Sequence, residues 1–299
     1  MLCSKCRRQA VIYQRYSGLH LCRTHFEADF EAKAKRAIRV HRWLSSGDRI
    51  GVVLCGEKDS SALLYFLQTL VGRRRDVELL AITIDEGITD YSDISIGRSI
   101  AGKMGIRHVT SSFREMFGMT FDEIARKGDP RTSCSSCSML RGLCLERTAR
   151  DHEVTRLALG VNLDEEARSV FLNVLMGEAE RLIHPRAGTG NTVEYMKPFM
   201  YVPEREVALY AFYHGEAGRS GMCPHACNSL QSDVQCLLDI YDQNHPSARY
   251  ALVNLGDRLR GLGDRGRSHE RDARVCTGWG GPFIESCRSC RMPHEVGDV

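Results

Sequence analysis

Between residues 49 and 176 the chain alternates short apolar runs with amphipathic stretches. Residues 49–55 (RIGVVLC) read as a buried strand, 60–71 as a helix, 77–85 (VELLAITID) as a second strand and 93–104 as a helix. Residues 107–111 read as a third strand, 135–152 as a helix, 154–160 (VTRLALG) as a fourth strand and 163–176 as a further helix. Unbroken apolar runs belong to strands covered on both faces, and strands separated by helices pair in parallel. The expected fold class is therefore α/β, a parallel sheet with helices on both faces. Such sheets take their ligands at the carboxyl ends of the strands.

From residue 204 onward the pattern is mostly helical, clearest over 228–244 and 246–262, and an amphipathic basic helix is expected over 27–45. The 299 residues are 42% hydrophobic and 26% charged, as in an ordinary globular protein. No run of apolar residues is long enough to span a membrane, and the opening MLCSKCRRQA lacks the apolar core of a signal peptide, so a cytoplasmic location is expected. The net charge of +3 does not itself indicate nucleic acid. Basic runs at 33–42, 73–75 and 258–274 suit either solvated helix faces or phosphate contacts. Thirteen cysteines in a reducing compartment point to metal or catalytic roles rather than disulfides.

The first strand runs into Cys55-Gly56-Glu57-Lys58-Asp59-Ser60-Ser61, and a helix follows. N–H groups at that helix start can cradle an anion, and Lys58 can meet a phosphate charge. The spacing is not that of a Walker A loop. It resembles the Ser-Gly-Gly-x-Asp-Ser loop of the PP-loop ATP pyrophosphatases, which implies ATP cleaved between its α and β phosphorus. Here Cys55 stands for Ser and Glu57 for the second Gly. A carboxylate beside pyrophosphate would repel it by up to a few kcal/mol at about 4 Å. Val53, Ile84 and Gly160 end neighbouring strands, where backbone groups can hold adenine and ribose, and Asp85-Glu86-Gly87 resembles the superfamily's Asp-x-Gly segment. Asn162-Leu163-Asp164-Glu165 resembles the superfamily's Gly-His-Asn-x-Asp-Asp motif, which implies Mg²⁺ held by Asp164 and Glu165. Complementing a helix dipole is the other use for those acids.

Cys134-Ser-Ser-Cys137 falls at the start of a helix, and Cys223-Pro224 lies far downstream. Three such thiols can hold an iron–sulfur cluster with one open iron, or Cys134 and Cys223 can form a redox and persulfide pair. Arg141, one turn after Cys137, shares its face. At the N-terminus Cys3-x2-Cys6-x15-Cys22-x2-His25 has zinc-ribbon spacing. At the other end Cys276, Cys287 and Cys290 supply three ligands, with Trp279 where a fourth would stand. His294 or water could complete that site, or it holds no zinc.

Taken in order, the loop at 55–60, Cys134/Cys137, residues 162–165 and Cys223-Pro224 resemble the TtuA/TtcA group of tRNA 2-thiolation enzymes, as do Met196-Lys197-Pro198-Phe199 and the segment 203–210. The terminal cysteine modules favour its TtuA side. The resemblance implies a tRNA 2-thiouridine synthetase: ATP adenylates a uridine, then sulfur replaces the C2 oxygen. It implies a four-iron four-sulfur cluster on Cys134, Cys137 and Cys223. The ATP site would comprise Val53, Cys55, Gly56, Lys58, Asp59, Ser60, Ile84, Asp85, Arg141 and Gly160. Catalysis would fall to Lys58, Arg141, Asp164, Glu165, Cys134 and Cys223; Arg141 stands where some members have a catalytic Lys, and is given a phosphate or transition-state contact. It implies a ubiquitin-like thiocarboxylated carrier or inorganic sulfide as sulfur donor, and a homodimer. The expected division is an N-terminal zinc module (1–28), a PP-loop domain (29–268) and a C-terminal Cys-rich module (269–299). Cytidine thiolation, lysidine formation (disfavoured, since it needs no cysteine triad) and a tRNA-binding paralogue without ATP turnover are the rival readings.

Overall fold

The computed structural model describes residues 1–91, 94–127, 133–183, 193–215, 223–225 and 230–266. The chain opens with an antiparallel hairpin, β1 (Ile12–Gln14) and β2 (Leu19–Leu21), followed at once by α1 (Arg23–Val40). The helix expected over 27–45 thus starts and ends about a turn earlier. Cys22 is its N-cap, which puts His25 in the first turn.

The apolar runs form one five-stranded sheet. β3 (Arg49–Val53) leads into α2 (Lys58–Val71), β4 (Glu78–Asp85) into α3 (Ile94–Lys103), and β5 (Arg107–Ser112) into the short helices α4 (Phe113–Phe117) and α5 (Phe121–Lys127). Then come α6 (Ser133–Asp151), β6 (Arg156–Ala158), α7 (Leu163–Leu175), α8 (Ala179–Ile183), β7 (Glu194–Met196) and α9 (Glu204–Tyr213). The helices α10 (Leu230–Asp242) and α11 (Ala248–Gly266) complete the described chain. The strand order is β5-β4-β3-β6-β7, and every neighbouring pair is parallel. The expected fold class is therefore the observed one. β7, α4 and α5 did not stand out in the sequence, because three to seven residues carry too little periodicity.

Side-chain alternation divides the sheet between two cores. Ile50, Val52, Leu54 and Ala81 pack with Phe26 and Phe30 of α1, Leu63 and Phe66 of α2, and Tyr210 of α9. Leu80, Ile82, Ile84 and Leu157 face the other way, against Phe113, Phe121 and Leu140. Phe30 stacks on Tyr210 at 4.0 Å and meets Phe199 edge-on at 5.0 Å, which locks α1 to α9.

Two buried carboxylates tie distant segments together. Glu206 of α9 is 0% exposed. It accepts hydrogen bonds from Tyr16 Oη (2.7 Å) and Gln14 Nε2 (3.1 Å), and pairs with Lys33 Nζ at 2.8 Å. Lys33, read above as part of a basic run, is therefore an internal partner that fastens the N-terminal hairpin to α9. Glu166 of α7, 1% exposed, pairs with Lys197 Nζ at 2.7 Å and with Arg260 of α11. Burial opposes ionisation of Glu166, but Lys197 and Arg260 outweigh it and hold the carboxyl below the ordinary range. The ionised form belongs to the fold, so its contribution is complete at neutral pH and fades as the pH falls below about 4.3. Glu166→Gln should cost on the order of 3 kcal/mol at neutral pH. Its melting temperature should also fall less steeply than that of the wild type between about pH 5 and about pH 3. Parallel melting-temperature curves over that range would contradict this account of Glu166.

Candidate functional site

The sheet order reverses between β3 and β6, and there a cleft of about 360 Å³ opens at the carboxyl ends of the strands. A doubly wound sheet leaves its crevice at that switch point. The loop after β3 enters it through Gly56, whose φ of +76° favours glycine. Helix α2 then starts at Lys58, two residues earlier than expected. Ser60 and Ser61 donate from their hydroxyls to the Glu57 carbonyl at 2.9 and 3.0 Å, closing the first turn and leaving its N–H groups for an anion. From the other side Gly160, just past β6, backs onto this turn. A Cβ there would lie 2.8 Å from the Asp59 carbonyl carbon and 2.9 Å from the Ser60 nitrogen.

Val53, Cys55, Asp59, Ser60, Ile84, Asp85, Arg141 and Gly160, all read as nucleotide residues, line the cleft together with Glu165. Asp85 accepts a hydrogen bond from the Gly87 N–H at 2.8 Å, which shapes the turn after β4. Lys58 is held at 3.0 Å by Asp59 and at 3.0 Å by Glu204. Glu57 also lines the cleft, within 3.5 Å of the Tyr91 hydroxyl. Such a concentration of acid disfavours ionisation of the carboxyls. Burial, reinforced by the charge of Asp59, pushes the Glu165 carboxyl up to about 7. Burial likewise raises that of Asp59, against the opposing pull of Lys58. A cation entering the cleft would relieve both.

Asp164 takes a different course from Glu165. Its carboxylate accepts the Glu204 backbone N–H at 2.7 Å and pairs with Arg249. It lines a second pocket, of about 350 Å³, and is not among the residues of the cleft. Asn162 and Glu165 form a reciprocal cap for α7: Asn162 Oδ1 accepts the Glu165 N–H at 3.0 Å, and Glu165 Oε2 accepts the Asn162 N–H at 3.2 Å.

One wall of the cleft is α6, through Ser138, Arg141, Gly142 and Leu145. Arg141 pairs with buried Glu86 at 2.7 Å and reaches Cys137 Sγ at 3.9 Å, so the shared helix face is as expected. Cys134 lies in the first turn of the same helix. Cys223 packs against the apolar cluster that contains Cys137. The neighbouring His225 anchors it, with Nε2 2.6 Å from Asp122 Oδ1, while Asp122 also accepts the Thr89 N–H and hydroxyl. Glu86, Asp122 and His225 were not singled out in the sequence. His225, two positions past Cys223, was the one readable signal.

At the N-terminus Cys3, Cys6, Cys22 and His25 bring one donor atom each to within 4.8 Å of one another. The Cys6 and Cys22 sulfurs are 3.7 Å apart, and His25 Nδ1 lies 3.4 Å from Cys3 Sγ and 3.5 Å from Cys22 Sγ. Thiolate and imidazole ligands on one tetrahedral ion, with bonds of about 2.0–2.3 Å, would stand about 3.5–3.8 Å apart, close to these three separations, so the donor set suits a metal ion. Burial opposes ionisation of Cys3, but hydrogen bonds from the Cys22, Lys5 and Cys6 backbone and from His25 lower its thiol to about 6. Cys276, Trp279, Cys287, Cys290 and His294 lie outside the described residues. No helix among the described residues is long and apolar enough to cross a membrane.

Comparison with known proteins agrees with this geometry. A family model described as the N-terminal LIM domain of the 2-thiouridine synthetase TtuA matches residues 2–27. The tRNA 2-thiolation protein NcsA of Haloferax volcanii is 32% identical, with 100% of both chains covered. The cytoplasmic tRNA 2-thiolation protein 1 of Drosophila erecta is 30% identical over 96% of this chain and 84% of its own. Among solved structures, the U34-tRNA thiolase NcsA of Methanococcus maripaludis, determined with its [4Fe-4S] cluster, superposes with a TM-score of 0.85 at 26% identity, covering 100% of this chain and 97% of that one. With relatives matched along its whole length, the chain belongs to the TtuA-type family of tRNA 2-thiolation enzymes.

Proposed function

We propose that this tRNA sulfurtransferase uses Mg²⁺-ATP to activate a tRNA uridine and then replaces its C2 oxygen with sulfur. The observation that carries the reading is the position of Arg141. Its guanidinium lines the nucleotide cleft and also reaches the Cys137 sulfur, so one residue touches both halves of the chemistry.

In the first step the uridine O2 attacks the α-phosphorus, the bond to the β-phosphate oxygen breaks and pyrophosphate leaves. In the second, hydrosulfide attacks C2, the C2–O bond breaks and AMP departs with the original oxygen. Lys58 and the N–H groups at the start of α2 receive the β- and γ-phosphates, with Gly56 and Ser60 shaping the loop. The strand ends at Val53, Ile84 and Gly160 hold adenine and ribose. Asp59 and Glu165, carboxylates that line one cleft and repel each other there, hold Mg²⁺, and Asp164 braces α9. Arg141, positioned by Glu86, stabilises charge on the transferring phosphoryl group.

Cys137 and Cys223, in one apolar cluster, together with Cys134 supply a donor set suited to a four-iron four-sulfur cluster. When bound, that cluster supplies an iron with an open position for sulfur. A ubiquitin-like thiocarboxylated carrier or inorganic sulfide is the donor. The N-terminal site takes Zn²⁺, its three thiolates and one imidazole matching that ion. The enzyme works in the cytoplasm as a homodimer, with the zinc module, PP-loop domain and C-terminal module divided at about residues 28 and 268. Exposed Lys5, Arg7, Arg8, Arg36, Arg39, Arg73 and Arg75 are the cations for tRNA phosphates, because Lys35 and Arg74 are paired with Glu31 and Asp76.

Two experiments test the assignment. Anaerobically reconstituted protein should carry about four irons per chain and brown absorbance. Cys137→Ala and Cys223→Ala should each lose iron and thiolation together, and full thiolation by either variant would contradict the cluster assignment. For the nucleotide half, Lys58→Ala should abolish tRNA-dependent AMP formation. Glu57→Gly should tighten ATP binding by about 1–2 kcal/mol, roughly 5- to 30-fold, by removing a charge beside the phosphates. Absence of AMP from the wild type with tRNA and sulfide would instead favour a tRNA-binding paralogue, the reading suggested by the five acids lining the cleft: Glu57, Asp59, Asp85, Glu86 and Glu165.

A further inference from the structure

Lys58 is paired with two carboxylates that line different cavities. One of its partners, Asp59, lines the nucleotide cleft, and the other, Glu204, lines the second pocket. The cation that the loop offers to phosphate is thus engaged from both sides by carboxylates. Asp59 belongs to the loop itself, and its carboxyl faces the cleft. Glu204 comes from α9, far along the chain, and has no part in the chemistry described above.

The backbone under Glu204 is pinned. Its N–H donates to Asp164 Oδ2 at 2.7 Å. The next residue, Arg205, donates from Nη2 to the Tyr13 carbonyl at 2.9 Å. One further on, Glu206 is gripped by Tyr16, Gln14 and Lys33. The N-terminal hairpin and α7 therefore set where α9 begins, and only side-chain torsions remain to Glu204. Its side chain is 53% exposed and that of Lys58 is 34% exposed. An ion pair this open to water holds weakly and exchanges easily, unlike a buried one. Asp59 and Glu204 together raise the Lys58 pKa despite the opposing effect of burial, in keeping with a fully charged ammonium.

We propose that Glu204 is a positioning residue for Lys58, its carboxylate standing in for a phosphate oxygen until nucleotide arrives. It keeps the ammonium aimed at the loop, gives it up when the β- and γ-phosphates enter, and takes it back as pyrophosphate leaves. The idea rests on the ATP reading of the cleft. It explains why the phosphate lysine is neither stretched into solvent nor collapsed irreversibly onto Asp59 alone. It also gives the returning carboxylate a use, since competition for Lys58 loosens a product that would otherwise bind too well.

Calorimetric titration with Mg²⁺-ATP, magnesium tripolyphosphate and AMP tests this on the full chain. The proteins are wild type, Glu204→Gln, Lys58→Ala and the double variant. Glu204→Gln should bind ATP and tripolyphosphate roughly three- to five-fold more tightly, the scale of losing one exposed pair. AMP, which lacks the β- and γ-phosphates, should show no change. The gain should vanish in the Lys58→Ala background, because there is no lysine to release. In steady state, Glu204→Gln should lower KM for ATP and lower kcat, with stronger inhibition by pyrophosphate. Unchanged or weaker ATP binding by Glu204→Gln, while Lys58→Ala weakens it, would overturn the proposal alone. An equal gain in both backgrounds would also overturn it, as a general charge effect. ATP bound as tightly by Lys58→Ala as by wild type, or by none of the proteins, would overturn the nucleotide reading, and this proposal with it.

Discussion

The backbone contact between the end of β6 and the start of α2 is the constraint on which the site depends. Gly160 approaches Asp59 and Ser60 so closely that no side chain fits between them. That contact brings the turn after β3 and the capped start of α7 to opposite sides of one cleft. It places Glu165 near Asp59, and the resulting repulsion, added to burial, lifts the Glu165 carboxyl to about 7. Like charge stored in this way would be relieved by a cation, as the proposed Mg²⁺-polyphosphate would supply.

A second dependence runs from the N-terminal Cys/His module to the loop after β3. Its hairpin has too small a core to fold unaided, and a bound metal would supply what the core cannot. The same hairpin grips Glu206, and α9, two residues earlier, presents Glu204 to Lys58. The module is thus part of the scaffold that fixes where α9 starts, as well as a carrier of exposed cations. Burying Glu206 at 0% exposure is tolerable only because Tyr16, Gln14 and Lys33 all satisfy it, so module and catalytic domain need one another.

Much of this was legible in the residues. The strands at 49–55 and 77–85 are apolar throughout because both of their faces are buried, and they were read at nearly their observed positions. The ligand spacing at Cys3, Cys6, Cys22 and His25 is dictated by metal geometry, which is local in sequence, and the four donors do converge. The placing of Arg141 beside Cys137 followed from helical periodicity. What escaped was set by tertiary pairing. Asp164 and Glu165 are adjacent in sequence, yet Arg249 and the start of α9 draw Asp164 away from the cleft. Lys33 reads as surface charge until Glu206, far along the chain, is seen against it. Glu86 and Asp122 announce themselves only when Arg141 and His225 reach them.

The proposed chemistry puts sulfur on C2 of a tRNA uridine. Mass spectrometry of nucleosides from the tRNA of a strain lacking the protein tests it most directly. In that strain 2-thiouridine, or its derivative, should disappear and its oxygen counterpart accumulate. The wild-type chain should restore the sulfur, and Lys58→Ala should not. Undiminished 2-thiouridine in the deletion strain, or full restoration by Lys58→Ala, would contradict it.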